Sequence, residues 1–404
     1  GTASWINGGN PNNAPSHSKI APKGRLTKIM NIPFVDLAEQ QRRIRVDLDR
    51  RIGQVLDHGA YINGPEVAEL EDKLAAFAGC RHAIGVSSGT DALLAALMAK
   101  GIGRGDAVFL PSFTFTATAE VVLQCNATPV FVEVDAATFN LEPDHLREAI
   151  AETAKLGQLR PAAIIAVDLF GQPADYQAIN ALASEHDLFV LADGAQSFGA
   201  SYHNLKVGGL AEVTATSFYP AKPLGCYGDG GAIFTNDNEL AAACISLRDH
   251  GQGEGRYDIV RLGLNARLDT MQAAVLLSKL TIFEDEIRLR RTVAQRYTEQ
   301  LSGMVETPVQ LQDTDSIWAQ YTIKLPNRDG VADRLRQQGI PTQIYYPLPM
   351  HLQPAYAHHG GGVGSLPISE QLGREVLALP MHPYLGETVI DTICEALQDA
   401  MRTN

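Results

Sequence analysis

The chain has 404 residues, 45% of them hydrophobic, enough to bury a large domain and a smaller one. A formal net charge of −13 excludes a general nucleic-acid or anionic-membrane binder, so an anionic ligand must be met by local basic groups and backbone N–H donors. Five scattered cysteines (Cys80, Cys125, Cys226, Cys244, Cys394) without CxxC spacing fit reduced thiols, not a disulfide framework or a zinc site.

Residues 1–29 are rich in Gly, Asn, Ser, Pro and Lys and lack periodicity, which reads as a tag or disordered leader before a natural start at Met30. They lack the apolar core of a signal peptide, and no apolar run reaches the roughly 18 residues of a membrane span. A soluble, cytoplasmic protein is expected. From 32 to 77 the pattern is mostly helical, broken at the turn-rich Gly59-Ala60-Tyr61-Ile62-Asn63-Gly64-Pro65.

Short β-branched or apolar runs follow at 82–86, 107–110, 129–134, 162–168, 188–192, 213–218 and 232–235. Amphipathic segments at 91–100, 146–155 and 176–187 lie between several of them. This alternation predicts an α/β fold with a mostly parallel seven-stranded sheet between helices, and ligands at the carboxyl ends of its strands. A long helical stretch from 269 to about 303 leads out. The runs at 317–325, 330–338, 345–346 and 387–402 then predict a smaller α+β domain containing the flexible tract Gly360-Gly361-Gly362-Val363-Gly364. The expected division is a large domain over 30–280 and a small C-terminal domain over 281–404.

The candidate chemistry lies at the strand ends. The first strand runs into Ser87-Ser88-Gly89-Thr90-Asp91-Ala92-Leu93, where small residues at a helix start expose N–H donors to an anion and Thr90 adds a hydroxyl. An ordinary Ser-Thr-Asp cap reads the same way, and no Gly-Lys-Ser/Thr follows to make a Walker loop. After the second strand, Phe115 of Phe113-Thr114-Phe115 either stacks on an aromatic ring or joins Phe113 in the core. The fifth strand ends in Asp193-Gly194-Ala195-Gln196-Ser197. Asp193 is either a helix N-cap or the partner of a cation; a pyridinium nitrogen about 3 Å away would gain roughly 5 kcal/mol at an effective dielectric near 20.

Lys222 lies between the last two strands, in Ser217-Phe218-Tyr219-Pro220-Ala221-Lys222-Pro223-Leu224-Gly225-Cys226-Tyr227-Gly228-Asp229-Gly230-Gly231. The glycines behind it let backbone approach a ligand closely. A desolvated lysine loses its proton readily and can attack a carbonyl to form a Schiff base, whereas a solvated loop lysine does neither. Ser217 offers a hydroxyl to the same anion as Thr90. In Asn265-Ala266-Arg267, the planar fork of Arg267 suits a carboxylate, a phosphate or a salt bridge at the helix start. No G-x-G-x-x-G opens a helix after the first strand, against a nicotinamide dehydrogenase.

Together these residues resemble the DegT/DnrJ/StrS-type nucleotide-sugar aminotransferases, a branch of the fold type I pyridoxal-phosphate (PLP) enzymes, from about Ile32 to the C-terminus. The matching stretches are Gly64-Pro65, Ser88-Gly89-Thr90-Asp91-Ala92-Leu93, Asp193 with Gln196, 217–231, 263–272, Tyr346-Pro347 and His351-Leu352-Gln353-Pro354-Ala355-Tyr356. The resemblance implies that Lys222 is the Schiff-base lysine and proton carrier and that Asp193 pairs with the pyridine nitrogen. It sets Gln196 and Phe115 against the ring and gives the phosphate to Gly89, Thr90 and Ser217. Asn265 joins them from the second subunit of a homodimer.

The run from Lys222 to Asp237 and the stretch 379–385 look like enzymes that aminate UDP-2-acetamido-2-deoxy-3-keto-glucuronic acid, with L-glutamate as the implied donor. In that branch Arg267 would meet the sugar carboxylate, with Tyr345 and Tyr346 as further substrate contacts. Pro223 stands where many members carry asparagine, and Tyr345 where a histidine is expected. Amination at C3 or C4 of a UDP- or dTDP-keto-6-deoxy sugar is the alternative. A non-catalytic regulator is disfavoured by the intact Lys222, Asp193 and Thr90, and sugar deoxygenation by a lysine in place of histidine.

Overall fold

The computed structural model describes residues 32–255 and 257–402; the expected leader over 1–29 and the start at Met30 lie outside them. Helix α1 (Leu37–His58) starts at Asp36, whose carboxylate accepts the Glu39 N–H at 2.9 Å, and stops at Gly59 in the left-handed region. Helix α2 (Pro65–Ala78) begins on a proline, whose missing N–H costs nothing in a first turn.

Strands β1 (His82–Val86), β2 (Asp106–Pro111), β3 (Thr128–Val132), β4 (Arg160–Val167) and β5 (Phe189–Asp193) alternate with helices α3 (Gly89–Ala99), α4 (Ala117–Gln124), α5 (Pro143–Leu156) and α6 (Tyr176–His186). A small hairpin, β6 (Ser201–Tyr202) and β7 (Leu205–Lys206), precedes β8 (Val213–Ser217) and β9 (Gly231–Thr235). The seven expected runs therefore all form strands, in the sheet order β1-β9-β8-β5-β4-β2-β3. From β8 to β3 the neighbours are parallel, while β9 runs antiparallel to both β1 and β8. The reversal follows from the connection: the loop 218–230, which carries Lys222, turns back without a crossover helix.

The sheet is apolar on both faces, as a covered parallel sheet requires. Phe109, Ile164, Val190 and Phe234 pack on one side with α2, α5, α6 and the next long helix. Val108, Leu110, Ile165, Leu191 and Ile233 pack on the other with α3, α4 and, beyond α4, helix α7 (Asn238–Arg248).

Helix α8 (Thr270–Leu301) passes residue 280 unbroken and serves two cores. Ala273, Leu276, Leu277 and Phe283 belong to the sheet's core, whereas Val293, Ala294, Tyr297 and Leu301 belong to a second one. That second core is completed by strands beyond β10 (Thr314–Asp315), namely β11 (Tyr321–Lys324) and β12 (Val376–Leu379), and by helices α9 (Arg328–Gln337) and, after α10 (Pro367–Glu375), α11 (Glu387–Arg402). The sequence reading did not foresee β12, which pairs antiparallel with β11. Residues 345–346 form no strand; they are irregular chain packed on Phe113, Val167 and Leu372. Among the described residues no helix is long and apolar enough to cross a membrane.

Candidate active site

The carboxyl ends of β1, β5 and β8 and the loop after β2 converge on one place, as expected at strand ends of a parallel sheet. Ser88 caps α3, its Oγ accepting the Asp91 N–H at 3.0 Å, and Ser87 and Ser88 donate their hydroxyls to the Asp91 carboxylate. The cap absorbs both serines. Gly89 follows, and a Cβ there would come 2.7 Å from the Cβ of Ser217 at the end of β8. Thr90 is half-buried in the same first turn, so Gly89, Thr90 and Ser217 share a helix N-terminus.

Asp193 is only 6% exposed at the end of β5. Thr118 donates to its Oδ2 at 2.9 Å, supported by Thr114 3.0 Å behind, and the Ala195 N–H donates to its Oδ1 at 3.2 Å. No helix follows Asp193, so it is not an N-cap. Burial raises its pKa, while Thr118, Ala195 and the charge of Lys222 pull it down.

Lys222 is half-buried in a turn that its own N–H closes onto Tyr219 O at 2.8 Å. Burial lowers the pKa of its amine and Asp193 raises it, and among the described residues the amine forms no side-chain hydrogen bond. The loop around it is tightly pinned. Phe218 and Cys226 close it through Phe218 N–H to Gly230 O and Cys226 N–H to Phe218 O, each 2.7 Å, and Gln272 accepts the Tyr227 N–H at 2.8 Å. A Cβ on Gly225 would lie 2.6 Å from the Tyr219 and Pro220 carbonyl oxygens, so the turn demands glycine.

Gln196, 6% exposed, accepts the Phe170 N–H at 2.7 Å and donates to Tyr346 Oη at 3.2 Å. The Tyr346 ring lies 6.2 Å from both Phe113 and Phe115, and Tyr345 stands 5.8 Å from Tyr346. Phe113 is fully buried core, whereas Phe115 is 54% exposed and keeps a free face. Asp193, Gln196, Lys222, Phe115 and Tyr346 thus belong to one cluster.

Asn265 and Arg267 sit beside it rather than in it. The Ser87 N–H donates to Ala266 O at 2.9 Å, which lays the segment along the end of β1. Arg267 donates to Asp249 at 2.6 Å and to Asn265, so its fork is engaged in a salt bridge of its own chain. Among the described residues no hydrogen bond joins this pair to Asp193, Gln196 or Lys222. Thr118, Asp168, Ser197 and Asp249 were missed by sequence reading.

The sequence matches the DegT/DnrJ/EryC1/StrS aminotransferase family over residues 42–398. It is 49% identical over 367 residues to the UDP-2-acetamido-2-deoxy-3-oxo-D-glucuronate aminotransferase of Pseudomonas aeruginosa, covering 91% of this chain and 99% of that one. A dTDP-3-amino-3,4,6-trideoxy-alpha-D-glucose transaminase of Streptomyces venezuelae is 40% identical over 370 residues, 91% of this chain and 96% of its own. A DegT DnrJ EryC1 StrS aminotransferase from Brucella abortus superposes with a TM-score of 0.89 at 52% identity, covering 91% of this chain and 99% of that one. A match running from α1 into α11, and spanning both Lys222 and the buried Asp193, leaves one conclusion: this chain belongs to the DegT/DnrJ/EryC1/StrS aminotransferase family.

Proposed function

We propose that this protein is a PLP-dependent aminotransferase that carries an amino group from an amino acid, L-glutamate by family resemblance, to a keto group of a nucleotide-linked sugar. The favoured acceptor is UDP-2-acetamido-2-deoxy-3-oxo-glucuronate, supported by the 49% identity to the Pseudomonas enzyme that the substrate names. The observation that carries the reading is the buried Asp193 carboxylate at the end of β5, with one donor on each oxygen and Lys222 near enough that the charge of each shifts the pKa of the other.

The residues fit the cofactor. Each oxygen of Asp193 has a single donor, which leaves it capacity to accept from a ring N–H. The missing Cβ of Gly89 keeps the α3 N-terminus and Ser217 bare toward a phosphate. Gly89 and Thr90 N–H groups, with the Thr90 and Ser217 hydroxyls, would hold that phosphate. Gln196 and Phe115 would bound the ring.

Bound there, PLP supplies a carbonyl for amine exchange and a ring that draws electrons from the donor Cα. Asp193 would keep the ring nitrogen protonated through its charge. Lys222 would take the proton from the donor Cα as base and return it as acid at the cofactor's C4′; its lowered pKa enlarges the neutral fraction this needs. Donor and acceptor use the same amine in turn, so the kinetics are ping-pong. A homodimer completes the site, with Asn265 reaching across from the second subunit.

The test is an absorbance spectrum of the purified protein, first with L-glutamate and then with a panel of UDP- and dTDP-keto sugars. A visible band lost with glutamate and restored by the UDP-3-oxo-uronate is the expected result. The 40% identity to the Streptomyces enzyme favours a second reading, a dTDP-keto-deoxy sugar, which restoration by that sugar alone would select. A protein that stays colourless after adding PLP overturns both.

A further inference from the structure

One strand away from Asp193 stands a second buried carboxylate that the chemistry above does not use. Asp168 follows directly on β4, whose Val167 pairs with Asp193, and it is completely buried. Its partners are all donors. Ala174 N–H and Tyr176 O–H reach Oδ1 at 2.9 and 2.8 Å, and Ser197 O–H reaches Oδ2 at 2.6 Å. No arginine or lysine is among them.

The main chain repeats the connection. The Asp168 N–H donates to the Asp193 carbonyl at 3.1 Å. Two residues on, Phe170 adopts φ 61°, a left-handed conformation uncommon for a bulky residue, and its N–H donates to Gln196 Oε1. The turn 193–197 is therefore held at three points from one short stretch: Asp193 and Ser197 by Asp168, Gln196 by Phe170. Asp193 and Gln196 are the two residues of that turn that face the proposed ring.

We propose that Asp168 is a positioning residue for this turn, fixing through Ser197 and the Asp193 carbonyl where the Asp193 carboxylate and the Gln196 amide stand; the inference rests on the function proposed above. A carboxylate suits the task because it accepts from several donors at once. Ser197 and Tyr176 are both buried, so an apolar residue at 168 would strand them, at about 1–3 kcal/mol for each unmade bond. Burial, with the charge of Asp193, raises the Asp168 pKa to about 7, and its three donors oppose that rise.

The competing role is purely structural, a tie from β4 to α6 through Tyr176. Three full-length variants separate the two: Asp168→Asn, Ser197→Ala and, for the α6 side of the carboxylate, Tyr176→Phe. The readouts are the PLP Kd, the melting temperature without cofactor, and hydrogen exchange of the 193–199 backbone without cofactor. Positioning predicts that Ser197→Ala and Asp168→Asn weaken PLP by about tenfold and raise exchange over 193–199. Tyr176→Phe then lowers the melting temperature and leaves the PLP Kd within about twofold of wild type. Variants that melt lower while PLP affinity and exchange stay at wild-type values overturn the proposal. If Asp168→Asn does not fold, Ser197→Ala, which removes one hydroxyl, decides alone. The exchange measurement needs no cofactor, so a wild type that takes up no PLP overturns the proposed function while the positioning of the turn is still judged.

Discussion

Gly89 on α3 and Ser217 at the end of β8 pack so closely that a Cβ on Gly89 would lie 2.7 Å from the Ser217 Cβ. They follow the strands β1 and β8, which β9 separates in the sheet, so the anion seat is formed across three strands. Gly89→Ala favours the helix by its propensity but forces α3 and β8 apart. The expected outcome is a PLP Kd raised by about tenfold or more together with a lower melting temperature, since overpacking costs about 1–3 kcal/mol. Titration of PLP into the variant measures it. Wild-type affinity would remove this contact from phosphate binding.

Lys222 is pulled two ways, burial lowering its pKa and Asp193 raising it. Lys222→Ala should abolish borohydride trapping of PLP, and peptide mapping of the reduced wild type should find the label at 222. Lys279, among the described residues the other lysine with a depressed pKa, is the control: Lys279→Met should still trap. Label at any other lysine sinks the assignment.

What was legible in the sequence is what is local. Each of the seven strands of the main sheet was a contiguous β-branched or apolar run, and Lys222, Asp193 and Gly89 stood in runs whose odd composition announced them. What was hidden is pairing across distance. Thr118 reaches Asp193 across 75 residues and Ser197 reaches Asp168 across 29, and nothing in either local window marks the partner. The φ of Phe170 escaped for another reason: a phenylalanine between Leu169 and Gly171 reads as core, and only tertiary contacts hold it left-handed. Arg267 shows the same limit, since its fork fitted a ligand or a salt bridge equally until Asp249 was seen beside it.

That salt bridge sharpens the substrate test. If Arg267 exchanges Asp249 for a sugar carboxylate, Arg267→Ala should cut kcat/KM for a uronic-acid acceptor by about 10- to 100-fold more than for a neutral sugar, the worth of a hydrogen-bonded charge pair. Asp249→Ala frees the guanidinium and should keep the preference for the uronate. Equal losses on both sugars would assign Arg267 to holding the 249–267 connection.

The shared site of the proposed homodimer can be tested by complementation. Lys222→Ala and Asn265→Ala proteins are each expected to be inactive. In a mixed dimer, one composite site carries both substitutions and the other carries neither. Free exchange makes half the dimers mixed, so about a quarter of wild-type activity should return. No recovery, with subunit exchange verified by mass spectrometry, would confine Asn265 to its own chain's site.

Lys279 of α8 gives a prediction about stability alone. It is 1% exposed, its amine lies 4.4 Å from the centre of the Tyr227 ring, and among the described residues no hydrogen bond satisfies it. Burial lowers its pKa to about 8, with Glu286 opposing. The unfolded value is about 10.4, so between these two pH values the unfolded chain holds a proton that the folded chain does not. Wild-type stability from this group therefore rises with pH across that window, and the burial penalty is fully felt below it. Lys279→Met should be more stable than wild type at pH 7, by at most about 3 kcal/mol, and should lose that advantage between about pH 8 and 10.4. Urea midpoints of both proteins at pH 7, 9 and 10.4 measure the gap; a gap that does not narrow would mean that the amine keeps its proton inside the fold.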